Sequence, residues 1–277
     1  MAAQPAASLA PPPSTGPPAT SPATDPTAGS TASPTGGPAT PSPTTPAPTS
    51  IPATQAPTTQ TPATGAPTGE PDPTPSTRPA VLRPGDHGPE VLALQQRLVE
   101  LGYWLGTPDG TFGLLTQQAV LAAQKAAGIG LDGLAGPATR AALEQGIRPG
   151  ASTQSGRVLE VDLARQLLLV VQDGRVEQIF NTSTGTDEWY EVDGRQYLAD
   201  TPRGTWHIYR QVNGMDTGPL GDLYRPKYFH TDGIAIHGYS SVPARAASHG
   251  CVRVTNAAMD WLWSSGVAPI GTTVLVR

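Results

Sequence analysis

Apolar residues fall into two different rhythms along the chain, separated near residue 150. From Pro89 onward, Val91, Leu94, Leu98 and Leu101 recur at helical spacing until Gly102, and the pattern predicts a first helix. A second amphipathic stretch covers Leu115 to Ala127, with Ala119, Ala123 and Ala126 on one face and Gly128 beyond it. Between and after these runs an internal repeat: Asp109-Gly110-x-x-Gly113-x-x-Thr116 recurs as Asp132-Gly133-x-x-Gly136-x-x-Thr139. Each Asp-Gly pair reads as a turn and each second glycine as the start of a helix, the third helix opening at Pro137. Asp109, Asp132 and Thr116 are therefore expected to be turn and cap residues rather than ligands.

Past residue 150 the rhythm shortens. Arg157 to Leu163 and Gln166 to Gln172 are rich in Val and Leu, and Asp173-Gly174 forms a hairpin signal leading into Arg175 to Asn181. Thr205 to Gln211, Gly233 to His237 and Thr272 to Arg277 continue the strand pattern. One helix is expected after Thr255, an N-cap residue, with Met259, Leu262 and Trp263 as its inner stripe. Short strands with turn signals predict an antiparallel sandwich or barrel.

Composition explains where neither rhythm is found. The chain has 277 residues and 32 prolines, and residues 1 to 77 contain no aromatic, no Lys and no Arg, with Asp25, Glu70 and Asp72 as their only charges. Such a segment cannot offset the entropy of ordering it, so a disordered tether biased to polyproline II is expected, reaching up to about 3 Å per residue. The predicted organisation is multidomain: a disordered Pro/Thr/Ala-rich segment at 1–79, a small three-helix domain at 80–147 and a mainly-β domain at 155–277. A net charge of −5 argues against a nucleic-acid partner. No apolar run approaches the roughly 20 residues of a membrane-spanning helix. Met1-Ala2-Ala3-Gln4 lacks the basic and hydrophobic parts of a signal peptide. A monomer is expected.

Candidate chemistry gathers in one place. Ser248-His249-Gly250-Cys251-Val252-Arg253 holds the chain's only cysteine, and His237-Gly238 precedes it. A thiol nucleophile needs a base and oxyanion donors. Either His249, two positions away, or His237, brought near by the fold, could be the base. Gly250 permits close backbone approach, which makes the amides of Gly250 and Cys251 candidate oxyanion donors. Arg253 suits a carboxylate partner. His237, His249 and Cys251 are also zinc-ligand types, so a metallopeptidase is an alternative class, although no Cys-x-x-Cys or His-x-x-x-His element is present.

The His-Gly element, the loop and Ser-His-Gly-Cys-Val-Arg resemble the L,D-transpeptidase catalytic domain, as does Thr201-Pro202-Arg203-Gly204-Thr205-Trp206 before them; the likeness covers roughly 155 to 277. It implies a β-rich, metal-free enzyme without cofactor, with Cys251 as nucleophile and His237 as general acid/base. His249 is then assigned to substrate positioning and the oxyanion environment, and Ser248, Arg253 and Tyr228 are candidate substrate contacts. The repeat and Leu101-Gly102-Tyr103 resemble a three-helix peptidoglycan-binding domain, which implies a separable wall anchor. Together the likenesses imply an exported, cell-wall cysteine transpeptidase that forms 3→3 cross-links between peptidoglycan stem peptides and is inhibited by carbapenem-type β-lactams. L,D-carboxypeptidase activity and a non-catalytic wall-binding protein are the alternatives.

Overall fold

The computed structural model describes residues 81–277; the expected tether at 1–79 lies outside the described residues. Three helices come first: α1 (Pro89–Glu100), α2 (Leu114–Ala127) and α3 (Pro137–Glu144). Proline opens α1 and α3, where a missing N–H costs nothing, and Gly128 caps α2 in the left-handed region. The repeat is built around two buried glutamines. Gln95 accepts from the amides of Asp109 and Gly110 and donates to the Asp109 carboxylate and the Thr116 hydroxyl. Gln124 does the same for the second copy, with Gly133, Asp132 and Thr139. Asp109 and Asp132 are thus turn residues, while Thr116, expected as a cap, lies within α2, where its hydroxyl donates to Thr111 O; the N-cap Gly113 has no side-chain cap bond.

Twelve strands and a helix follow: β1 (Arg157–Asp162), β2 (Leu167–Gln172), β3 (Arg175–Asn181), β4 (Trp189–Val192), β5 (Arg195–Leu198), β6 (Gly204–His207), β7 (Arg210–Gln211), β8 (Met215–Gly218), β9 (Gly221–Tyr228), β10 (Ala235–Tyr239), β11 (Val252–Thr255), α4 (Asn256–Ser264) and β12 (Thr273–Val276). One sheet runs β3-β2-β1-β12-β6 and a second β11-β10-β9-β7, with β8 paired to β9. The β4–β5 hairpin pairs only within itself. Asp173 and Gly174 both take positive φ, as the expected two-residue turn requires. Thr255 Oγ1 accepts from Ala258 N (3.1 Å) to cap α4.

Two expectations change. The run Thr205 to Gln211 is not one strand, because it switches sheets between β6 and β7. The domain is mainly β, but its sheets are mixed: β1 lies parallel to β12, and β10 parallel to β11. A parallel pair needs a crossover of about a dozen residues or more, and between β10 and β11 this is residues 240–251. That crossover carries the candidate chemistry.

The helical module is not a free-standing unit. Leu167, Leu169 and Val171 of β2 and Ile179 of β3 share one hydrophobic cluster with Val91, Leu94, Leu98, Tyr103, Val120 and Ala123 of the module. The alternate β2 residues Leu168 and Val170 join a second cluster with Ile236, Val252, Val254, Met259 and Val274, between the two sheets. The unbroken apolar run of β2 is therefore buried on both faces, the pattern such strands require. Backbone bonds seal the contact: Ile179 N donates to Gly102 O (2.8 Å) and Trp104 N to Ile179 O (3.0 Å). Gly102 has φ +82°, and a Cβ there would stand 3.0 Å from Glu177 O, so only glycine lets β3 approach. Trp104, Phe180 and Trp261 form one cluster of mutually tilted rings, joining the module to β3 and α4. Among the described residues no helix is long and apolar enough to cross a membrane.

Candidate active site

The parallel register decides which side chains meet. His237 pairs with Arg253 and Ile236 with Val252. Alternation along a strand sends Ile236, Val252 and Val254 into the inter-sheet core, and Ala235, His237, Tyr239 and Arg253 to the opposite face. Cys251 stands one residue ahead of β11 on that same side. Ala235 N–H donates to its sulfur (3.5 Å), and the thiol lies 3.9 Å from Gly233 O.

The motif glycines answer to space. A Cβ on Gly238 would sit 2.6 Å from the Tyr224 ring and 2.7 Å from Asn256 Oδ1, so β9 and α4 could not close on β10. Gly250 has φ +137°, and its Cβ would meet Asp200 O at 2.6 Å. Its carbonyl accepts from Thr201 Oγ1 (2.6 Å), which ties the Thr201-Pro202 segment to the crossover.

His237 is 2% exposed, and its Nδ1 lies 2.9 Å from Gly238 O. A carbonyl can only accept, so Nδ1 carries the proton and Nε2 keeps a free lone pair. Burial pulls the imidazole pKa down to about 4, the Gly238 bond opposes this, and the Arg253 charge adds to it. Burial likewise pushes the Cys251 thiol up, against the Ala235 hydrogen bond and Arg253, which pull it down. The resting pair is a neutral imidazole and a thiol. Such a pair can pass a proton to Nε2 as sulfur attacks an electrophile.

The thiol opens into a cleft of about 880 Å³ lined also by Tyr190, Tyr197, Asp200, Arg210, Asp216, Tyr228 and His249. His249 is exposed and packs edge-on against Tyr190, ring centroids 4.6 Å apart. Tyr228 forms part of the cleft wall, its hydroxyl donated to Asp216 Oδ2 (2.7 Å) and Arg210 stacked 4.6 Å from its ring centroid. Burial, seconded by that Asp216 bond, pushes its pKa up to about 12. A smaller hollow of about 400 Å³ lies elsewhere, lined by Arg165, Gln166, Thr184, Thr201, Arg203 and Arg245, and holds neither Cys251 nor a histidine.

Three expected roles change. Ser248 is 2% exposed; its Oγ accepts from Gly250 N (3.1 Å) and donates to Cys251 O (2.6 Å), so it braces the crossover from within instead of meeting substrate. The same bond engages the Gly250 amide, which removes it as a ready oxyanion donor. Arg253 does not line the cleft: it donates to Ala247 O (2.9 Å) and stacks on Tyr239 at 4.2 Å. Its charge lowers the pKa of both His237 and Cys251. Sequence reasoning missed the β4–β5 hairpin with Tyr190 and Tyr197, although Asp193-Gly194 between them is a hairpin signal. Among the described residues no three His, Cys, Asp or Glu side chains gather as a metal-holding group.

Residues 156–276 match the L,D-transpeptidase catalytic domain family, and residues 87–143 a peptidoglycan-binding domain. The crystal structure of the L,D-transpeptidase from Xylanimonas cellulosilytica is 54% identical, with a TM-score of 0.70 over 74% of this chain and 100% of that one. An L,D-transpeptidase from Stackebrandtia nassauensis is 25% identical over 70% of this chain and 94% of that one, with a TM-score of 0.41. Among curated proteins, an N-acetylmuramoyl-L-alanine amidase from Bacillus licheniformis is 48% identical over 65 residues, 23% of this chain and 18% of the amidase. The matched part thus spans less than a fifth of that amidase's length. A mainly-β domain that brings a cysteine and a buried histidine to one face of paired strands, joined to three helices, is the architecture in which these matches fall. The chain belongs to the L,D-transpeptidase family, with a peptidoglycan-binding domain ahead of the catalytic one.

Proposed function

We propose that the protein is a cell-wall L,D-transpeptidase that joins peptidoglycan stem peptides by 3→3 cross-links through a thioester on Cys251. Sulfur attacks the carbonyl of the third, diamino acid residue of a tetrapeptide stem while His237 Nε2 takes the thiol proton. The C–N bond to the terminal D-alanine breaks, and that proton leaves with the amine. The side-chain amine of a second stem then attacks the thioester, the C–S bond breaks, and His237 returns the amine proton to sulfur. The Cys251 amide is the proposed oxyanion donor, and His249 with Tyr190 orients the donor stem. Carbapenem-type β-lactams would acylate the same thiol. The helical module would hold the enzyme on peptidoglycan, in keeping with a cell-wall location.

What supports this reading is that the Cys251 thiol opens into the cleft while His237, on the same face of the paired strands β10 and β11, is kept neutral by burial. Incubating the purified enzyme with a defined tetrapeptide muropeptide, then separating the products, tests it. Cross-linked dimer with free D-alanine supports it. Tripeptide alone would make water the acceptor and the enzyme an L,D-carboxypeptidase, and no turnover or thioester at all would remove the assignment of Cys251.

A further inference from the structure

Helix α2 faces the catalytic domain with two polar side chains in an otherwise apolar contact. Gln118 is 8% exposed and Lys125 5%, and they stand seven residues apart, on one face of the helix. Burying an amide or an ammonium costs free energy unless its hydrogen bonds are replaced. A Leu or Met would fill either place without that cost. Both side chains spend their donors on one backbone assembly, the support of the crossover that bears Cys251.

Gln118 Nε2 donates to Val242 O (3.1 Å), within the crossover. Its Oε1 accepts from Asn181 Nδ2 (2.6 Å), which also reaches Val242 O (3.3 Å). Lys125 Nζ donates to Gln166 O and Thr182 O, each at 2.9 Å. From there the chain 181–186 runs along the crossover. Thr182 Oγ1 donates to Arg253 O (2.6 Å), and Arg253 N donates to Ser183 O (2.9 Å). Ser183 Oγ donates to Arg245 O (2.8 Å), and Thr184 O accepts from Ala247 N (3.0 Å) and Ser248 N (2.9 Å). The crossover is fastened to this bracket from Val242 to Arg253, and the bracket is fastened to α2.

We propose that Gln118 and Lys125, in the peptidoglycan-binding module, are positioning residues for the Cys251–His237 pair, so that the module is part of the catalytic apparatus as well as an anchor. The proposal rests on the reading of Cys251 as nucleophile. Neither side chain touches substrate; each acts through the bracket. The desolvated state of Lys125, whose pKa burial pulls down to about 7, fits a group kept for its two carbonyl contacts and not for a surface charge.

The test uses the full chain with Gln118→Met and Lys125→Met, acylated by a carbapenem over a range of concentrations. Active-site titration counts the reactive thiols, so misfolded protein drops out of the rate per thiol. The maximal acylation rate per thiol should fall at least about tenfold, since an ångström of misplacement can cost about a hundredfold, while the half-saturating concentration stays within about twofold. An unchanged rate per thiol with only a lower melting temperature would make both residues structural and overturn the proposal. Should either variant not fold, Gln118→Asn keeps the amide, falls one methylene short of Val242 O and is judged by the same criterion. If the wild type itself is not acylated, it is the reading of Cys251 that fails.

Discussion

The crossover and the β4–β5 hairpin both line the cleft and are built in opposite ways. Residues 242–253 are tied along their length to the 181–186 bracket, and Gly250 has no room for a methyl group. The hairpin pairs only with itself; Trp189 is 69% exposed, and its inner ring, Tyr190, meets the crossover at the ring of His249. The difference teaches that the Cys251 segment is fixed by backbone bonds and close packing, while the hairpin beside it is held by few contacts and can move more freely.

The largest effects should come from undoing the fixed side. Deleting residues 1–147 would strip the cover from Leu167, Leu169, Val171 and Ile179, all fully buried now. At about 1.5–3 kcal/mol per side chain that loss rivals the whole stability of a domain, about 5–15 kcal/mol. The truncated protein should be insoluble or unable to be acylated, whereas deleting 1–79 should leave acylation of a soluble substrate unchanged. A soluble, fully active 148–277 fragment would show that the shared core is dispensable. Within the folded protein, Cys251→Ala should abolish covalent capture of a carbapenem, with no adduct by mass spectrometry. His237→Ala should slow acylation by about 10² to 10⁴, and His207→Ala, which touches neither the thiol nor the cleft, should have little effect.

A moderate effect follows from pH. His237 titrates near 4 in the fold and near 6.5 unfolded, so between those values the unfolded chain binds more protons. Its contribution to stability is therefore complete above about pH 6.5 and is lost as pH falls toward 4. The melting temperature of the wild type should drop more steeply from pH 7 to 4.5 than that of His237→Gln. Because the imidazole stays neutral over that window, the acylation rate should not fall with a midpoint near 6.5. A midpoint there would mean that the histidine is more solvated than its surroundings imply.

How much of this was legible in the sequence follows the same division. Local patterns identified the helical module, the β2–β3 hairpin and the Thr255 cap, because each is written within a run of neighbouring residues, whereas the His237–Cys251 motif was read through its resemblance to a known family. The unbroken Leu167–Val171 run was read as a strand, but its burial on both faces, and hence the docked module, depends on a partner that periodicity does not name. Gln118 and Val242 are 124 positions apart. Nothing in an amphipathic helix says that one of its glutamines faces inward toward a loop that distant. For Ser248 and Arg253 the sequence left two readings open, substrate contact or loop brace, and the crossover's own backbone engages both. The β4–β5 hairpin is the opposite case, since Asp193-Gly194 between alternating residues was readable and its place beside the thiol was not.

The smallest effect should come from the loose wall. Trp189 leaves most of its surface in water and has no ring partner among the described residues, so Trp189→Ala should leave the melting temperature within about a degree, as surface changes usually stay within about 0.5 kcal/mol. An exposed indole near the cleft has a different use if the proposed substrate binds there: it offers a flat apolar face to a sugar or peptide backbone at little ordering cost. Its removal should therefore raise KM for muropeptide a few-fold and leave kcat and carbapenem acylation unchanged, because a small β-lactam need not reach the hairpin. Equal losses toward both substrates would show that Trp189 supports the Tyr190–His249 contact and so belongs to the fixed side. An unchanged KM would limit the cleft's recognition to Tyr190, Tyr197 and the residues below them.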